Sequence, residues 1–252
     1  MKQRIQKHLE EINNCNQRGG RMLSIRDLLD AGTLNKEIAA YLLAAISTGN
    51  SFLVGARPGG VGKTTVMAAL LNFIPDIDLV ATVNSQVIEN GLLDPDFKCF
   101  IAHEIGRGRW YAYIWGKDVA NFLKLAKKHM IAGNLHADDV DEVLEAEGID
   151  EANISNLHVL IFMTMTGQRG FTKRRINSIY ENQGLNGKEG FKQIFKWNEK
   201  EDSFERLTAS KLITVPELIK SKNIIEKIIE YDLRTKEEIR LTILKMIDPV
   251  AS

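Results

Sequence analysis

The sequence has almost no cysteine, no long apolar run and no net charge, and each lack excludes a class of protein. Two cysteines in 252 residues, Cys15 and Cys99, make no disulfide framework, which fits a reducing cytoplasm. No apolar run approaches the roughly 20 residues of a membrane-spanning helix. The first residues, MKQRIQKHLEEINN, are charged throughout and lack the apolar centre of a signal peptide. Lysine plus arginine number 33, and so do aspartate plus glutamate. No global field therefore draws the chain to nucleic acid or to an anionic membrane. No internal repeat or low-complexity tract is present. The expectation is a soluble, cytoplasmic protein long enough to bury a proper core.

What is present is concentrated in one stretch, SFLVGARPGGVGKTTVMAALLNFIP, from Ser51 to Pro75. The short apolar run Phe52-Leu53-Val54 suits a buried parallel strand, and the run from Val66 to Phe73 suits a helix. Between them lie Gly59, Gly60, Val61, Gly62, Lys63, Thr64 and Thr65. Strand, glycine loop and helix in that order make a phosphate cradle. Backbone N–H groups converge on the anion, the helix N-terminus adds its dipole, and a lysine adds a full charge. The motif places Lys63 on the β- and γ-phosphates and the Thr64 hydroxyl on Mg²⁺. It also asks for glycine at position 57, where the chain has Arg57. The bland alternative is a glycine loop that merely caps a helix.

The remaining chain alternates strand and helix signals. Residues 1–20 read as a polar surface helix, sparse in apolar positions and ending at Gly19-Gly20. Ser24 with Asp27 resembles a helix cap, and a second helix starts near Asn35. DLVATVNSQVI reads as a second core strand, Glu89 to Asp96 as a loop, and Cys99–Ala102 and Trp110–Trp115 as strands around the turn Gly106 to Arg109. Helices are expected over Asp118–His129 and Asp138–Glu147, and strands over Met130–Leu135, Leu157–Met165, Arg174–Tyr180 and Phe191–Trp197. From Val215 onward the pattern is helical. The predicted fold class is an α/β P-loop NTPase, a RecA-like sheet flanked by helices with a small α-helical C-terminal subdomain. The expected division is an extension over 1–20, an ATPase domain over 21–207 and the helical subdomain over 208–252.

With these pieces in order, LLDAGTLNKEIAAYLLAAISTGNSFLVGARPGGVGKTTVMAALLNFIP resembles the opening of the ATPase domain in the type II/IV secretion ATPase superfamily. The likeness continues in GNLHADDVDEVL, similar to that family's histidine box, and in GQRGFTKRRINSIYE and FKQIFKWNEKEDSFE, similar to its late strands. It runs from about Ser24 to Phe204. The resemblance implies ATP and Mg²⁺ as cofactors, a homo-oligomer (a hexamer by analogy), and a membrane-associated secretion or pilus complex as partner. It implies that His136 reports on the γ-phosphate or on a neighbouring subunit. Arg174 and Arg175 become candidates for phosphate sensing at a subunit interface, with a solvated strand face as the alternative.

Departures from the family pattern bear on catalysis. The place of its acidic box reads Thr82-Val83-Asn84-Ser85, without a carboxylate. Counting back from His136 puts Ala112 to Gly116 in the Walker B place, with Tyr113 for the acid. A second alignment uses His103 to Gly108 and supplies Glu104, at the cost of extra residues before the histidine box; spacing favours the first. Only a short segment precedes the ATPase-like part, so a standalone domain or a lid from another chain is expected. The leading reading is an ATP-hydrolysing motor-like domain, with Lys63, Glu104 and His136 as its catalytic set. The alternative is a pseudo-ATPase whose nucleotide acts as a structural or regulatory signal. Nucleic-acid handling is not expected, because the basic clusters at Arg107 and Arg109 and at Lys173–Arg175 do not interleave with aromatics.

Overall fold

The computed structural model describes residues 2–16, 19–167, 172–184 and 186–247. The part of the late motif at 168–171 lies outside the described residues. Helices α1 (Lys2–Asn14), α2 (Ile25–Asp30) and α3 (Lys36–Ser47) precede β1 (Phe52–Gly55) and α4 (Lys63–Leu70). Next come β2 (Leu79–Ala81), α5 (Ser85–Leu93), β3 (Cys99–Ile105), β4 (Tyr113–Ile114), α6 (Lys117–Leu125) and β5 (Met130–Leu135). The chain continues through α7 (Val140–Leu144), α8 (Glu151–Ile154), β6 (Val159–Thr166), β7 (Lys173–Asn182), β8 (Phe191–Asn198) and β9 (Ser203–Arg206). Helices α9 (Val215–Glu230) and α10 (Lys236–Ile247) follow.

The strands form one sheet in the order β2-β3-β5-β1-β6-β7-β8-β9, with β4 paired to β3. The pairs from β2 through β6 are parallel, while β7, β8 and β9 add antiparallel hairpins at one edge. Alternation along the central strands assigns the two faces. Phe52, Val54, Ala132 and Ile161 enter a core shared with α3, α4, α9 and α10. Leu53, Ile131, Leu160 and Phe162 enter a second core with α6 and α8. The sheet is therefore covered on both sides, as parallel strands require. The expected α/β P-loop sheet is present.

Three local readings change, the first being the expected loop from Glu89 to Asp96, whose residues as far as Leu93 belong to α5. Only Leu79–Ala81 of the valine-rich stretch is strand, because Asn84 caps α5 by accepting a hydrogen bond from the Val87 amide at 3.1 Å. Val87, Ile88 and Leu92 then serve a helix face rather than a pleat. The N-terminal helix is no loose surface element either. Ile5, His8, Ile12 and Cys15 fall on one buried stripe, two of its four positions being residues that a count of aliphatic side chains leaves out.

The helical tail is joined to the sheet by buried polar groups. Glu181 of β7 is fully buried and accepts from the Tyr41 hydroxyl, the Lys211 amide and the Ser210 hydroxyl, fixing the segment that leads into α9. From α10, Lys236 donates to the Ala68 carbonyl of α4. Arg240, 1% exposed, donates to the carbonyls of Asn72, Ile74 and Pro75 just beyond it. Burial holds Lys236 down at about 8 and Arg240 at about 10, yet both sit where the unpaired carbonyls and negative dipole end of α4 favour a cation. Replacing Arg240→Ala leaves three carbonyls short of a donor, each worth about 1–3 kcal/mol when unsatisfied and buried. After partial relaxation a stability loss of about 2–4 kcal/mol is expected from urea unfolding. Arg240→Met, which fills the space without carrying charge inside, should lose less.

Candidate phosphate-binding site

The C-terminal ends of β1, β5 and β3 lie side by side, because β5 is inserted between the other two. In open α/β sheets this edge is where ligands bind. The loop after β1 turns sharply into α4 through Gly60 (φ +82°) and Gly62 (φ +107°), backbone angles that a side chain disfavours. Gly62 occupies the α4 N-cap with no side chain to satisfy the first amides. Gly59 and Gly60 are exposed while Val61 is buried, so the loop is anchored by one side chain and leaves its backbone open. Thr64 and Thr65 in the first turn of α4 are half-buried.

The structure brings Lys63, Glu104 and His136 together. Lys63 Nζ donates to the Ala56 carbonyl at 3.1 Å and lies 3.6 Å from Glu104 Oε1. His136 Nδ1 is 3.1 Å from the Arg57 carbonyl, a distance that assigns the ring hydrogen to that nitrogen. Its 3.4 Å approach to Lys63 Nζ is then a close contact between two donors. His136 Nε2 faces Glu104 Oε1 at 3.7 Å. Glu104 is 6% exposed, and Oε1 has no hydrogen bond among the described residues, only the longer contacts to Lys63 and to His136, the second ionic only with a protonated ring. Burial raises the Glu104 carboxyl above its ordinary value, opposed by Lys63 and His136. Burial likewise lowers Lys63, opposed by Glu104.

Of the two Walker B alignments, it is the second that puts a carboxylate at the loop. Tyr113 lies one strand further out, paired in register with Glu104, and its ring packs against Gly108. Spacing misleads here because counting back from His136 takes no account of the excursion from β3 into β4. The Thr82–Ser85 segment does not face the loop with free side chains: Thr82 donates to the Ile101 carbonyl, Asn84 caps α5 and Ser85 donates to Asp118.

Two further side chains join the site, those of His103 and Arg174. His103 Nε2 lies 3.5 Å from the Thr64 hydroxyl, and burial lowers its pKa, favouring the neutral ring. The register of β3 on β5 shifts between Ala102 and Ile105, which lets the successive residues His103 and Glu104 both reach the loop. Arg57 points away from the loop to Glu142 at 2.8 Å and Glu145 at 3.2 Å, while its amide donates to Asp138 at 2.8 Å. Arg174 and Arg175 part company. Arg174 Nε donates to the Gly60 carbonyl at 3.1 Å, whereas Arg175 is buried against Asp202. A separate cleft of about 580 Å³, lined by residues including Leu34, Arg175, Asp202 and Phe204, contains none of Lys63, Glu104 or His136.

The donor set suits Mg²⁺, a hard ion that takes one or two protein oxygens and completes its shell with water and phosphate. Thr64 offers a hydroxyl, and Glu104 offers a carboxylate oxygen lacking a hydrogen bond. The raised carboxyl also has a pH signature. Folded Glu104 keeps its proton where the unfolded chain has lost one, so its contribution to stability falls as pH climbs from 4.5 through the raised value. Lys63→Met removes the main opposing cation, and the Glu104 carboxyl should titrate higher still, as read by carboxyl-carbon NMR. An unchanged titration would mean that the two groups are not coupled.

Comparison with known proteins gives limited relatives. No family model matches the chain. The uncharacterized protein MJ0900 of Methanocaldococcus jannaschii is 26% identical over 208 residues, covering 71% of this chain and 38% of that protein. The VirB11 ATPase of the Brucella suis type IV secretion system, solved with sulphate, superposes with a TM-score of 0.43 at 15% identity, over 62% of this chain and 54% of its own. The Yersinia pseudotuberculosis ATPase DotB gives 0.42 at 11% identity, over 87% and 62%. The chain thus spans less than two thirds of each of these proteins. Both TM-scores are low, and it is this chain's own strand order and glycine loop that give it the α/β fold of a P-loop NTPase.

Proposed function

We propose that the chain is a nucleotide-binding, ATP-hydrolysing domain of the secretion-motor kind, working as a homo-oligomer. The observation that carries this is the convergence of Lys63 and the buried Glu104 at the glycine loop. Lys63, Thr64 and the loop amides bind the triphosphate. Mg²⁺, entering with the nucleotide, would be held by the Thr64 hydroxyl and would neutralise charge on the phosphates. Lys63 exchanges its contact with Glu104 for the β- and γ-phosphates. That exchange frees the carboxylate to accept a proton from the attacking water. His136, anchored through Nδ1 on the Arg57 carbonyl, stands beside Glu104 and reports on the γ-phosphate. Arg174, already on the Gly60 carbonyl, adds positive charge from the same chain.

The second reading, binding without turnover, is favoured by the Thr82–Ser85 segment, whose side chains serve the fold and provide no acid. Mg-ATP turnover measured beside binding of a fluorescent ATP analogue separates the two. Wild type should bind and turn over. Lys63→Ala should lose most binding, and with it the roughly 2.7 kcal/mol of stabilisation that ligand at a hundredfold excess over Kd confers. Glu104→Gln should keep binding while turnover falls about 10²–10⁴-fold. Binding by wild type with no turnover above the Glu104→Gln level would leave the pseudo-ATPase reading standing. Lys63→Ala binding as tightly as wild type would sink both.

A further inference from the structure

Two tryptophans and two arginines stand exposed on one tethered loop. Arg107, Arg109 and Trp110 lie between β3 and β4, and Trp115 follows β4. Trp110 is 67% exposed and Trp115 45%, and the Arg107 side chain is 82% exposed. In sequence the second tryptophan looks remote from the arginines. In the fold it returns to them, because Ile105 pairs with Ile114 and the Gly106 amide donates to the Ile114 carbonyl at 2.9 Å. The backbone pairing thus sets Trp115, the residue after β4, beside Gly106 and Arg107 just past the end of β3.

The loop is built rather than loose. The His103 amide donates to the Ala112 carbonyl at 2.8 Å, and the Tyr113 amide to the Trp110 carbonyl at 3.3 Å. Ala112 adopts a left-handed conformation (φ 52°) to make the return. A Cβ on Gly108 would meet the Tyr113 ring at 2.4 Å, so glycine is required for the loop to lie down on that ring. The Tyr111 hydroxyl donates to Glu11 of α1 at 2.9 Å. With the backbone held at several points, the exposed side chains project from a fixed frame. Large apolar groups held in water in this way mark a contact surface.

Charge and chemistry select the occupant. Arg107, Arg109 and Lys117 are exposed cations, against Glu147, which pairs with Arg107 at 3.2 Å, and Asp118, which accepts from Ser85. We propose that this loop binds single-stranded nucleic acid, with Trp110 and Trp115 stacking on bases and Arg107 and Arg109 on phosphates. Flat indoles among guanidiniums satisfy both requirements of such a platform, a π-face and a backbone counter-charge. An acidic peptide would use the cations and leave the indoles idle. A second copy meeting the loop through the same patch, by two-fold symmetry, would set cations against cations.

The test is fluorescence anisotropy of a labelled oligothymidylate of about 30 nucleotides, titrated with the whole chain without ATP. Nucleotide-free binding keeps the result independent of the proposed ATPase. Binding should occur at low salt and weaken steadily as salt rises. Trp110→Ala and Trp115→Ala should each weaken it about 5–100-fold, while Arg109→Ala should also flatten the salt dependence. Glu147→Gln, which releases Arg107, should tighten it a few-fold. Circular dichroism and the thermal unfolding midpoint of each variant check that the fold is intact. No shift at low salt overturns the proposal, as does binding that neither tryptophan variant changes. So does a sedimentation change in Trp110→Ala without nucleic-acid binding, which would assign the loop to contacts between copies.

Discussion

A buried lysine facing a buried glutamate, whose nearer oxygen has no hydrogen bond among the described residues, is the constraint around which the central sheet is arranged. Each is desolvated, each shifts the other's titration, and neither is stable there alone. Bringing them within 3.6 Å needs β5 placed between β1 and β3, and needs α4 to begin within one residue of a left-handed glycine. The parallel crossovers, the two cores and the glycine angles all follow from that placement. A binding loop that must accept several negative charges gains from having its lysine already dehydrated and only weakly held. In this structure the Glu104 carboxylate does that holding, at 3.6 Å.

The glycine loop, its strand and its helix were legible because phosphate binding leaves a dense local pattern: an apolar run, closely spaced glycines, and then lysine and threonine. Met130–Leu135 was legible for a similar reason, as a short apolar run between a helix and a histidine. The position of Glu104 was not, because it depends on which strand pairs with which. The same holds for His103, brought to Thr64 by a register shift, and for the parting of Arg174 from Arg175 on opposite sides of β7. Asn84 misled in another way. Its side chain reads as a lost acid in a catalytic alignment, whereas it is a helix cap, and the two uses look identical in a row of letters.

The N-terminal and C-terminal helices show how buried polar residues can tie distant segments to a core. His8 and Cys15 line up with Ile5 and Ile12 only when α1 is seen as a helix against a neighbour. Burial and the nearby Arg240 hold His8 down to about 3, so it is neutral at ordinary pH and packs as an aromatic. Glu181 does the same service for the segment before α9. Hydrogen bonds from the Lys211 amide and two hydroxyls accommodate Glu181 inside, and loss of its charge accommodates His8, in neither case an opposite charge.

Helix α4 starts at the glycine loop and is gripped by Lys236 and Arg240 at its other end. Eight residues of helix span about 12 Å and do not shorten. A push delivered at the phosphates therefore has a stiff rod to travel along and a handle at its far end. In a machine assembled from several such subunits, α10 is where that stroke would leave the sheet.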